Sequence, residues 1–228
     1  MPNGPLPLPA RLYLLAWDTA RREVLEPARL PLLVRAGALA ELARRGLLTD
    51  DEGIATPLDL DSRTGDAVLD GLLELVSESL PHDWHTWVRL RARHTLDAVR
   101  EQLVAEGVLR AERRRVLWVF PSVEHVLADT VRVDALHREA RLILDGPAPP
   151  ETFPRPAATA VALAAAAGLL PGADGRRVEQ LLRRAGSPAP ALDGITSALR
   201  TTPAESAPVP SARRTGVPPG GTRAPKSA

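Results

Sequence analysis

With 228 residues, 29 basic and 28 acidic, the chain is long enough to bury a sizeable core and is close to neutral. It has no cysteine, which excludes a disulfide framework, a thiolate metal site and a thiol nucleophile. The charge is uneven: Arg213, Arg214, Arg223 and Lys226 against Glu205 make positions 201–228 basic. Setting those aside leaves 25 basic and 27 acidic residues, so the rest of the chain is no general nucleic-acid binder and any anion site there is a local patch.

Met1 to Pro9 has no basic stretch ahead of an apolar run, so no secretory signal is expected. Leu12 to Trp17 is a short apolar run that reads equally as helix or strand. Pro27 and Pro31 bend the connection that follows, because proline lacks the amide a continuing helix needs. A helix is predicted from about Pro31 to Arg45, with Leu39, Leu42 and Ala43 on one stripe, Arg35 near its start and Gly46 as its stop. Leu47-Leu48 and a turn through Asp50 to Gly53 come next, and Ile54 to Arg63 reads as turn-like.

Asp66 is placed to cap a helix whose stripe is Val68, Leu69, Leu72, Leu73 and Val76, a core-facing element. Pro81 ends it. If the next helix runs unbroken from Trp87 to Glu106, Arg89, Arg93 and Arg100 fall within roughly 40° of one another at 100° per residue. Arg93 is also four residues from Asp97, the spacing of an ordinary surface pair. Leu96, Val99 and Leu103 form its apolar stripe and Gly107 its stop, repeating the helix-glycine pattern about sixty residues after Gly46.

Val108-Leu109 and Val116 to Phe120 read as two strands turning through Glu112-Arg113-Arg114. Further helices are expected around Val133 to Leu144, from Pro156 to Ala167 and from Asp174 to Arg184, with a last turn or two over Ala191 to Arg200. The alanine-rich helix is too short to span a bilayer and reads as a buried packing helix. From Thr201 onward Pro, Gly, Ser, Thr and Ala dominate and disorder is expected.

Chemistry-bearing motifs are sparse. His82, Asp83 and His85 are too few for a metal site, which needs three or four converging ligands. No phosphate-cradling glycine loop, nucleophile elbow or HExxH stretch occurs, so neither enzyme activity nor a cofactor is expected. The helix-glycine-hairpin unit allows a winged-helix DNA-binding reading with Arg113, Arg114 and Arg115 at the wing tip. The slightly acidic body opposes it.

Leu33 to Leu48 (LVRAGALAELARRGLL), Thr64-Gly65-Asp66 before a leucine-rich helix, Trp87, and Val99 to Leu109 (VREQLVAEGVL) together resemble the Golgi phosphoprotein 3 family. The likeness runs in order from about Leu6 to Leu182 and is to its bacterial, actinobacterial-type members. It implies a mainly α, compact single-domain helical bundle with a hydrophobic β-hairpin over residues 1–200, while composition sets apart a disordered, Pro/Gly/Ser-rich basic tail over 201–228.

The resemblance further implies a cytoplasmic peripheral membrane protein that binds phosphatidylinositol 4-phosphate and, in eukaryotic members, the tails of Golgi glycosyltransferases. By motif position Arg35 and Arg93 match headgroup arginines, and Arg89 is a neighbouring candidate. Glu26 stands where a pocket tryptophan is expected and Leu96 where a further arginine is expected. Arg113, Arg114, Leu117 and Trp118 on the hairpin are candidates for membrane contact or self-association, tryptophan suiting the headgroup level.

Overall fold

A computed structural model of the chain describes residues 6–59, 61–116, 120–185 and 189–201. Leu117, Trp118 and the tail from residue 202 lie outside the described residues. The fold is mainly α: nine α-helices and three two-stranded antiparallel sheets occur among the described residues.

Pro7 and Pro9 start α1 (Leu8–Leu15), which buries all but one of its residues. That run therefore folds as a helix, and Trp17-Asp18 then forms β1, paired with β2 (Glu23–Val24). Pro31 sits in the first turn of α2 (Leu30–Arg44), where its missing amide is harmless. Twelve consecutive or near-consecutive residues of α2 are buried, because it packs against α1 and four or more later helices. An apolar helix surrounded on all sides is the centre of a bundle. Its small residues allow close approach, and a Cβ on Gly37 would collide with Leu12 Cδ1.

Gly46 and Gly107 end their helices by the same device. Each has a positive φ, 72° and 76°, open to glycine without a Cβ penalty. Gly46 N donates to Ala43 O and Leu47 N to Leu42 O, while Gly107 N donates to Val104 O and Val108 N to Leu103 O. Each stop leads into a hairpin: β3 (Leu48–Asp51) with β4 (Ile54–Pro57), and β5 (Leu109–Val116) with β6 (Phe120–Leu127).

Several expectations change. The stretch after Gly53, read as turn-like, contains β4. Glu112, Arg113 and Arg114 are strand residues of β5, not the turn, with Arg113 opposite Val123 and Arg114 opposite Ser122. The arginine run is thus no wing tip, and Pro121 lies within β6 opposite Arg115. The helix after Trp87 is also broken: α4 (Trp84–Arg89) closes with Leu90 N donating to Thr86 O, and α5 (Ala92–Ala105) restarts after Arg91.

Asp66 caps α3 (Ala67–Glu78) as expected, accepting from Val68 N and Leu69 N, and its other oxygen accepts from Gln102 Nε2 of α5 at 3.1 Å. The chain continues through α6 (Thr130–Asp145), α7 (Arg155–Ala166), α8 (Gly175–Ala185) and α9 (Ala189–Arg200). α9 is longer than the expected turn or two. Ile195 and Ala198 are fully buried, and α9 packs on α2 and α4.

Candidate functional site

Arg35 is the one fully charged side chain buried at the 1% level in the core helix. Its position on α2 faces the start of α5, and the break before α5 gives it a partner. Arg91 adopts left-handed φ and ψ of 51° and 33°, and its carbonyl accepts from Arg35 Nη2 at 2.8 Å. The remaining donors, Nε and Nη1, are buried without a hydrogen-bond partner.

A cavity of about 160 Å³ adjoins this guanidinium between α2, α3 and α5. Its walls are small or apolar, including Ala67, Gly71, Leu75 and Ala98, with His94 and Thr95 as the other polar groups. No carboxylate lines it. Burial pulls Arg35 down from the usual guanidinium range to about 10, so it remains cationic at neutral pH. A buried guanidinium without a counter-charge is costly, and an anion offering two or three acceptor oxygens is the natural complement to its open donors.

The other candidate arginines do not line this cavity. Arg93 is exposed on the first turn of α5, one residue before His94. Asp97 pairs with Arg100 at 3.4 Å, and Arg93 makes no hydrogen bond or ion pair among the described residues. Arg89 is exposed at the end of α4, so the break at Leu90-Arg91 removes the shared helix face on which Arg89, Arg93 and Arg100 were grouped. Glu26 is exposed with a left-handed φ of 47° ahead of α2, and Leu96 is buried in the core.

Arg113 is exposed on β5. His82, Asp83 and His85 serve local structure. Asp83 caps α4 by accepting from Thr86 N, which holds its carboxyl below the usual range, and the His82 ring meets Trp87 edge-on at 5.2 Å. Among the described residues no three potential metal ligands converge.

His94, Thr95 and Gly71 are the lining residues that sequence reasoning missed. Gly71 carried a signal, since glycine inside a helical pattern costs about 1 kcal/mol relative to alanine and invites a packing or functional reason. A Cβ built there meets open space.

A family model described as Golgi phosphoprotein 3 (GPP34) matches residues 8–202. No match was found among curated proteins.

Proposed function

The chain belongs to the Golgi phosphoprotein 3 family, and from that premise we propose that it is a non-catalytic peripheral membrane protein that binds a phosphoinositide headgroup at the Arg35 cavity. The observation that carries this reading is the buried guanidinium with two open nitrogens and no carboxylate in its surroundings. Among the described residues no helix is long and apolar enough to cross a membrane, which fits attachment from one side.

In this reading Arg35 is the anchoring cation. It is preorganised by the Arg91 carbonyl, so little side-chain freedom is lost when an anion arrives. In this reading the headgroup enters the cavity beside it, walled by small residues of α3 and α5. Arg93 and Arg89, exposed on either side of the α4–α5 break, add positive charge toward an anionic leaflet at about 1 kcal/mol each. That is too little to hold a protein on a membrane alone, so an apolar contribution is required. Leu117 and Trp118, which follow Val116 in the sequence, are the proposed source, with Arg113 and Arg114 as basic companions. The same hairpin serves self-association as the competing use, and membrane-protein tails are the proposed clients.

Flotation with vesicles containing phosphatidylinositol 4-phosphate tests the reading. Arg35→Ala combined with Arg93→Ala abolishes flotation at moderate salt if the headgroup binds there. Unchanged flotation of that variant contradicts it.

A further inference from the structure

A second cleft, of about 200 Å³, opens where the β1–β2 hairpin, the base of β5–β6 and the start of α6 meet. We propose that this cleft is a separate oxyanion site that takes a phosphate-bearing ligand.

Its polar lining consists of Trp17, Thr19, Arg22, Arg110 and Thr130, on a floor of Val126 and Leu127, with no carboxylate in the lining. Trp17 is 3% exposed and its indole Nε1–H is buried with no hydrogen-bond partner. An indole nitrogen only donates, so what it lacks is an acceptor. Native structures rarely leave such a donor open, and here the Trp17 ring lines the cleft while its N–H lies beneath the accessible surface.

The two arginines supply the charge. Arg22, held at a left-handed φ of 57° in the β1–β2 turn, and Arg110, opposite Val126 in the hairpin register, come from separate elements. Both are exposed, and neither makes a hydrogen bond or ion pair among the described residues. Thr19 donates to Asp134 Oδ1 at 2.9 Å and is occupied, which leaves the Thr130 hydroxyl as a further donor. Two guanidinium forks and a hydroxyl in one lining match a tetrahedral oxyanion with several acceptor oxygens, and the Trp17 ring of the same lining senses its charge. The apolar floor strengthens such contacts by lowering the local dielectric. The phosphate comes either from a soluble phosphate ester or from a lipid headgroup.

The test uses the full chain and the indole N–H resonances of its tryptophans, with Trp17 assigned by its loss in Trp17→Phe. Inorganic phosphate is added against a chloride control of equal ionic strength. The Trp17 resonance is expected to shift saturably with phosphate. Arg22→Gln combined with Arg110→Gln, both at exposed positions, weakens the response about tenfold or more while thermal melting stays unchanged. No Trp17-specific shift, or an unaltered titration in the double variant, overturns the site.

Flotation of the same double variant, in which Arg35 is intact, then assigns the source. Reduced flotation with phosphatidylinositol 4-phosphate vesicles indicates a lipid phosphate, and wild-type flotation indicates a soluble ester. Failure here leaves the Arg35 reading untouched, because that reading is tested by different residues.

Discussion

Arg35 and Arg91, fifty-six positions apart, are joined by a 2.8 Å hydrogen bond from the Arg35 guanidinium to the Arg91 carbonyl. The bond ties the central helix to the left-handed residue that separates α4 from α5. A non-glycine residue in that conformation costs on the order of 1 kcal/mol or more and persists where its surroundings fix it. The α4–α5 corner and the buried cation therefore hold each other in place.

Arg35 is expected to lower the stability of the unliganded fold. Its folded pKa, about 10, lies below the ordinary guanidinium value. The unfolded chain thus binds more protons between those values, and stability from this group rises with pH only through that alkaline window. At neutral pH the full desolvation cost stands, partly offset by the Arg91 bond. Arg35→Met removes the first and loses the second, so thermal melting at neutral pH is predicted to show equal or higher stability, by about 1–2 kcal/mol. A fall of several degrees in Tm runs against an uncompensated charge.

Gly71→Leu fills open space at a position that lines the Arg35 cavity. The helix gains from the loss of glycine by about 0.5–1 kcal/mol, while the headgroup loses its room. Flotation on phosphoinositide vesicles is predicted to drop with melting unchanged or raised. Retained flotation places the headgroup elsewhere.

Gly194 lets α9 lie on α4. A Cβ at this position stands 2.8 Å from Trp84 Cβ, and Trp84 is held by its indole N–H donating to Asp50 Oδ1 at 2.5 Å. Gly194→Ala is therefore predicted to destabilise by about 1–3 kcal/mol through overpacking, measured by urea unfolding. A neutral result shows that α9 shifts freely.

Glu41 is buried on α2. Burial pushes its carboxyl up, and hydrogen bonds from Arg44 and Arg45 more than reverse this, leaving it lowered from 4.5. A carboxyl with a depressed folded pKa contributes stability that is present above its unfolded value and lost as pH falls through the folded one. Glu41→Ala is predicted to cost about 1–3 kcal/mol at neutral pH and to flatten acid unfolding below pH 4.5. An unchanged acid profile removes Glu41 from that role.

Local signals made much of this fold readable. Asp66 announced its helix because a carboxylate before an apolar stripe has free amides to accept from, and Gly46 and Gly107 announced two stops because each needs a positive φ. The break at Leu90-Arg91 was hidden, since neither residue is glycine or proline and the apolar stripe runs on into α5. The hairpin turn was misplaced because Arg113 and Arg114 look like turn residues, whereas β5 extends through them, paired with β6. Arg35 stood out as a candidate by its motif. His94 and Thr95 did not, because the side of α5 that meets the cavity depends on how it packs against α2 and α3.

The most direct measurement compares wild-type and Arg35→Met protein floated on phosphatidylinositol 4-phosphate vesicles at moderate salt, with Tm recorded for both. The wild type is predicted to float and the variant to remain in solution although it is at least as stable. Equal flotation of the two contradicts a headgroup site at Arg35.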